Sequence, residues 1–198
     1  MKKKTYDEVM KESPVTYEIY ANMIDDGNRY EISDGVLELM SPSPTFTHQS
    51  LSQELLFILN TSCRNEYIMI SSPIDVILSD TEVRQPDLVM IHRSRISIIS
   101  NRGINGAPDL VVEITSEHSR RRDKVKKRII YANYKVPEYW IVDLTNFTLE
   151  QYVLDGDRYD LVEVYAGEET IHSKTVPCAS FSMNEIVRSL PVPPEMLE

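Results

Sequence analysis

The sequence predicts a mixed α/β (α+β) fold, and three observations carry that prediction. Short apolar segments bounded by turn residues read as strands. Two longer segments repeat at helical spacing, and hairpins stand near both ends of the chain. Residues 5–25 form a short helical or irregular lead-in. Arg29–Ser33 and Val36–Met40 then alternate around Asp34-Gly35, whose glycine tolerates the positive φ of a tight hairpin turn. Pro42 and Pro44 end this hairpin, because proline cannot donate to a strand ladder.

From Thr47 to about Asn60, Leu51, Leu55, Ile58 and Leu59 recur at helical spacing, with Thr47 or Ser50 able to cap the start. Residues 67–79 read as one extended segment that Pro73 interrupts or places at an edge. A strand around Gln85–Ile91 comes next, then a loop-rich connection over 92–108. A strand over Pro108–Thr115 leads into a helix over about 119–134, with Val125, Ile129 and Ala132 as its apolar stripe. Pro137–Leu144 is a further strand. Phe147–Leu154 and Arg158–Tyr165 pair across Asp155-Gly156-Asp157, and a strand near Ile171–Val176 precedes a short helix after Ser182. Residues 191–198 read as a loose tail. The expectation is one domain over 1–198, with a core of about 30–145, a lead-in of 1–28 and a C-terminal hairpin extension of 146–190.

A formal charge of −10 argues against a protein that coats nucleic acid nonspecifically. The charge is uneven, however. Residues 120–128 hold seven Arg or Lys and one Asp, a local +6, so the rest carries the difference between −10 and +6, which is −16. Contact with a polyanion is therefore expected near Arg120, Arg121, Arg122, Lys124 and Lys126, although such a run also suits a solvated helix face. No stretch approaches the roughly 18 uncharged residues of a membrane helix, and no apolar run follows the basic start, so a cytoplasmic protein without membrane contact is expected. Cys63 and Cys178 have neither paired nor metal-type spacing, which predicts two ordinary thiols.

Two acids stand inside apolar strand segments: Asp87 in Gln85-Pro86-Asp87-Leu88-Val89 and Glu113 in Leu110-Val111-Val112-Glu113-Ile114. A carboxylate removed from water needs a partner, a hydrogen bond or a metal. If the two strands are neighbours, both acids can approach one Mg²⁺ or Mn²⁺, whose preference for oxygen suits carboxylates, a backbone carbonyl and waters. Acids followed closely by bases suggest metal-dependent chemistry on phosphate. Their bland reading is a pair of strand-end acids bonded to backbone amides.

These residues resemble the Uma-type "putative restriction endonucleases", a bacterial branch of the PD-(D/E)XK nuclease superfamily. The resemblance rests on Tyr30-Glu31-Ile32 with Asp34-Gly35, on His48, on Gln85-Pro86-Asp87 and on Pro108 to Ile114 with Ser116. Asp123, Lys127 and Tyr131 carry it further, as does Val136 to Asp143. It implies a restriction-endonuclease-like core, a mixed central sheet flanked by helices, and hydrolysis of DNA phosphodiesters with Mg²⁺ or Mn²⁺. Asp87 and Glu113 match the metal-binding acids. Thr115 stands where the superfamily's lysine would be, so the resemblance moves the basic role to the following helix, with Lys127 the first candidate and Lys124 the second. Asp123 lies four residues before Lys127, a spacing that equally suits an exposed ion pair. Glu31 and His48 occupy positions the family shares and are further candidates for the cleft; His48 also suits a helix cap or a packed surface residue. A homodimer fits the resemblance, since two-strand cutting by this fold usually needs two active sites. The missing strand lysine and the acidic charge keep open an alternative, a noncatalytic interaction or regulatory domain.

Overall fold

Asp34 and Gly35 take φ values of 50° and 73°, the left-handed pair that a two-residue hairpin turn requires. A side chain at Gly35 would also strike Pro14, so close approach and conformation both select glycine. The hairpin belongs to a computed structural model that describes residues 3–12, 14–41, 44–115 and 122–191, with the backbone alone at 122–124. In chain order the elements are α1 (Tyr6–Val9), α2 (Tyr17–Ala21), β1 (Tyr30–Ser33), β2 (Val36–Leu39), α3 (Phe46–Cys63), β3 (Tyr67–Ser71), β4 (Val76–Ser79), β5 (Glu82–Arg84) and β6 (Leu88–His92). Next come a 3₁₀ segment (Arg93–Ile98), β7 (Ile99–Ser100), β8 (Gly103–Asn105) and β9 (Leu110–Thr115). A π-helical segment (Arg122–Lys127) runs into α4 (Arg128–Asn133), ahead of β10 (Glu138–Asp143), β11 (Thr148–Asp155), β12 (Arg158–Tyr165), β13 (Thr170–His172), β14 (Ser180–Ser182) and α5 (Met183–Ser189).

The residues gather into two compact units. The first comprises Met1–Ser43, Pro73–Gln85 and Ser97–Ala107 and holds a six-stranded sheet in the order β2-β1-β5-β4-β8-β7. Its apolar centre is Val9, Val15, Tyr30, Ile32, Leu37 and Val83. The second comprises Pro44–Ser72, Pro86–Ile96 and Pro108–Glu198, with a six-stranded sheet in the order β12-β11-β10-β9-β6-β3 and the small pair β13-β14. This second sheet is mixed: β9 and β10 are parallel and the other neighbours antiparallel. Leu51, Leu55 and Leu59 on α3, spaced four apart, pack against Leu88, Leu110, Val112 and Trp140, and α5 adds Ile186. Among the described residues no helix is long and apolar enough to cross a membrane.

Several local expectations are corrected. Thr45, rather than Thr47 or Ser50, caps α3, its hydroxyl accepting from the His48 amide at 3.3 Å. Pro73 separates β3 and β4 so fully that they join different sheets. Of the expected stripe only Ala132 is buried, beside Tyr131, while Val125 and Ile129 are 53% and 55% exposed, so the inward face departs from the α-helical expectation toward the start of the helix. A π-helical start, with i→i+5 hydrogen bonds, shifts the phase of the turns beyond it. Cys63 and Cys178 form a disulfide across 115 residues, with Cα atoms 5.2 Å apart. Their spacing concealed this because only packing of the α3 terminus against the loop before β14 brings them together. The expected tail at 192–198 and the start of the expected helix at 119–121 lie outside the described residues.

Candidate active site

β9 is buried along its whole length. Leu88 pairs with Val112 and Val89 with Val111 in the antiparallel ladder of β6 and β9. The paired positions end at Leu88 and Val112, so Asp87 and Glu113 each lie one residue beyond the last pair of the ladder. Asp87 itself lies in a bend just before β6 rather than inside the strand. Its carboxylate continues the ladder in place of a backbone carbonyl: Oδ2 accepts from the Ile114 amide at 2.7 Å.

The same Oδ2 lies 3.4 Å from His48 Nε2, which also stands 3.2 Å from the Ile114 carbonyl oxygen. A carbonyl only accepts, so in this arrangement Nε2 carries the proton and donates. His48 therefore is no cap. Its amide is held by Thr45, and the first turn of α3 directs the ring to the end of β9. The side chains of His48 and Asp87 retain 15% and 20% of their exposure, so this end of the sheet reaches solvent.

Glu113 is 4% exposed and Lys127 6%. Lys127 Nζ donates to Glu113 Oε1 at 2.7 Å, and the Tyr131 hydroxyl donates to the same oxygen at 2.8 Å. Lys127 and Tyr131 are four residues apart, neighbours on one helix face, which lets both reach one carboxylate. Buried charges survive only when paired and hydrogen-bonded, and this pair is both. Tyr131 in turn packs its ring 5.2 Å from Tyr139, which neighbours Tyr159. Burial raises the Tyr159 hydroxyl well above its ordinary range, keeping it a neutral donor to the Val136 carbonyl at 2.7 Å. Tyr131 thus belongs to an aromatic cluster with Tyr139 and Tyr159.

The structure brings Asp87, Glu113, His48 and Lys127 to one end of the second sheet. Thr115, at the expected lysine position, is fully buried with its hydroxyl 3.5 Å from the Val142 carbonyl. Glu31 belongs to the first unit and is 1% exposed, its Oε2 3.2 Å from Arg84 Nη1 and its Oε1 accepting from the Gln85 amide at 3.1 Å. Tyr139 and Trp140 are fully buried core residues, and Asp143 accepts from the Thr145 amide at 2.8 Å as a turn residue. Arg120 and Arg121 lie outside the described residues, as do the side chains of Arg122, Asp123 and Lys124; Lys126 is half-buried. Two contributors had no assigned role from sequence. The Tyr131 hydroxyl was detectable from its four-residue spacing to Lys127, whereas the Ile114 carbonyl carries no sequence signal.

Among the described residues no three His, Cys, Asp or Glu side chains cluster closely enough to hold a metal alone. The oxygens of Asp87 and Ile114 nevertheless converge on the single point taken by the His48 N–H, as two hard donors do around a cation. A carboxylate, a carbonyl and waters form the donor set that Mg²⁺ and Mn²⁺ accept, so the residues fit such an ion.

Comparison with known proteins agrees with this architecture. The family model for Uma2, described as "Putative restriction endonuclease", matches residues 15–184. A crystal structure of a "putative nuclease belonging to DUF820" from Anabaena variabilis superposes with a TM-score of 0.73 at 17% identity, covering 90% of this chain and 100% of that one. No curated protein matches the chain.

Proposed function

This chain belongs to the Uma2 family of "putative restriction endonucleases", and on that premise we propose that it is a metal-dependent endonuclease hydrolysing DNA phosphodiester bonds. The observation that carries the reading is the Lys127 amine donating to Glu113 at 2.7 Å, one residue before Ile114, whose amide donates to Asp87 at 2.7 Å. An amine arriving from the helix would take the role of the strand lysine whose position Thr115 occupies. Asp87 and Glu113 would hold Mg²⁺ or Mn²⁺, with the Ile114 carbonyl beside them. When bound, the ion lowers the pKa of water and neutralises charge on the phosphoryl oxygens.

The protein's own groups supply the rest. Lys127 steers the attacking water and stabilises the charge that grows as one P–O bond forms and another breaks, with the leaving oxygen taking up a proton. Tyr131 is a positioning residue that holds Glu113. Arg120, Arg121, Arg122, Lys124 and Lys126 would track the DNA backbone, and a second copy of the chain would allow both strands to be cut.

The test incubates supercoiled and branched DNA with Mg²⁺ or Mn²⁺ and compares wild type with Asp87→Ala, Glu113→Ala and Lys127→Ala. Cleavage by wild type that falls by about 10² to 10⁴-fold in each variant is expected. Equal cleavage by all four would reveal a contaminant and remove the enzyme claim. One observation favours a second reading, a noncatalytic domain: Glu113 and Lys127 are as deeply buried as a purely structural pair. Binding of DNA without cleavage under any divalent ion would select it.

A further inference from the structure

The first unit holds a cavity of about 320 Å³ lined by Tyr17, Tyr20 and Tyr30, by Asp26 and Asp75, and by Arg102. Asp87, Glu113 and Lys127 belong to the other unit. We propose that this cavity binds an organic diammonium ion, with its inner ammonium on Asp75, its alkyl chain against the tyrosine rings and its outer ammonium on Asp26.

α2 sets Tyr17 and Tyr20 three residues apart on one helix face, with ring centroids 6.2 Å apart and planes tilted by 54°. Ring faces attract ammonium groups and pack well against methylenes. Burial and the Asp75 charge push the Tyr20 hydroxyl up to about 12, so this wall stays neutral. Asp75 itself is half-buried and fixed in place: its carbonyl accepts from the Ile104 amide at 2.8 Å, and a side chain at Gly103 would strike that same oxygen. Its carboxylate takes neutral donors, Gln85 Nε2 at 2.8 Å and the Tyr17 hydroxyl, while the Arg29 charge helps less than either. Burial outweighs all three and raises its pKa, so the charged form carries a desolvation cost that a cation in the cavity would offset.

The rest of the lining selects the same charge. Asp25 and Asp26 join Asp75 against the Arg102 guanidinium, a balance that disfavours an anionic ligand. Asp26 is exposed, and its Oδ2 accepts from the Tyr30 hydroxyl at 2.6 Å. One sheltered carboxylate and one exposed carboxylate suit two cationic heads on a short chain. About 320 Å³ lies at the lower end for small-molecule sites, which again selects a small ligand.

The experiment titrates putrescine into the full chain by calorimetry at about 0.15 M salt, where exposed charges more than about 8 Å apart are largely screened. Wild type should bind one putrescine saturably, and neither 1,4-butanediol, its uncharged analogue, nor guanosine should bind. Asp75→Asn keeps the size of the side chain, removes its charge and should weaken putrescine binding by at least about tenfold. Tyr20→Leu should weaken it by about 2- to 30-fold through the lost ring face. Asp160→Asn removes the same unit of charge from an exposed position on β12 and should bind as wild type does. Absence of saturable binding by wild type overturns the proposal, a result that needs no variant to fold. Unchanged affinity in Asp75→Asn does the same, as does an equal loss in Asp160→Asn, which would reduce the binding to attraction toward an acidic chain. Butanediol binding as tightly as putrescine would deny the role of charge, and guanosine binding in place of putrescine would make the cavity a base pocket; either result overturns the proposal.

Discussion

Among the described residues, each unit holds a buried acid–base cluster, and the two are built differently. In the first, the fully buried Arg84 guanidinium is shared among Glu31 at 3.2 Å, the Ser33 hydroxyl at 2.8 Å and Glu82. All four come from adjacent strands, and each carboxylate also accepts a backbone amide: Gln85 for Glu31 and Asp34 for Glu82. In the second, one lysine and one tyrosine from a helix meet one strand acid, beside a histidine and an aspartate that keep partial exposure. A cluster confined to one sheet staples neighbouring strands. A cluster assembled from helix, strand and bend ties together elements that share no backbone ladder. Burial by itself does not distinguish the two.

Replacing Arg84 with Met should be the most damaging change, because it leaves two carboxylates buried with their cation removed. Losing one partner of a buried pair costs about 3–5 kcal/mol, and here two acids are stranded. Urea unfolding should show that loss or outright failure to fold; a change under about 1 kcal/mol would deny the stapling role.

Lys127→Met should cost about 3–5 kcal/mol for the same reason. The sharper comparison is rescue. Adding Glu113→Leu to Lys127→Met removes both charges and should recover most of the stability by urea titration while leaving cleavage abolished. No single second change should rescue Arg84→Met, because its guanidinium serves two acids.

Tyr131→Phe removes one hydroxyl donating to a charged oxygen and should destabilise by about 1.5–3 kcal/mol. If the tyrosine positions Glu113, cleavage should fall with KM for DNA unchanged. A rise in KM with constant kcat would assign the residue to binding instead.

The smallest effect concerns Asp75, which accepts from Gln85 Nε2 at 2.8 Å. Burial raises its carboxyl above the ordinary 3.8, outweighing the hydrogen bonds from Gln85 and Tyr17 that lower it. The folded protein thus holds this proton more tightly than the unfolded chain, and stability falls as pH rises from 3.8 through the raised value. Asp75→Asn should match wild type in thermal unfolding below that window and exceed it modestly at neutral pH. An advantage already present in acid would show that the gain is unrelated to the proton.

How much was legible tracks the range of each interaction. The Asp34-Gly35 turn was readable because its backbone demand is met within two residues. The start of α5 was readable because Ser182 and Glu185 cap each other reciprocally across three residues. The disulfide was not readable, since 115 residues separate its halves. The inward face of the Lys127 helix was misread because the π-helical start defeats a 3.6-residue stripe.

What the sequence determined by itself was the terminal hairpins, the first core helix, the strand over 110–115 and the two acids on or beside apolar segments, because residue type and local periodicity act over a few positions. Only the tertiary structure decided that the His48 ring meets Asp87 and the Ile114 carbonyl, that Tyr131 shares the Glu113 oxygen with Lys127, and that Glu31 is bound to Arg84. Those outcomes depend on which distant segments pack side by side, and a buried polar atom takes whichever partner the packing supplies.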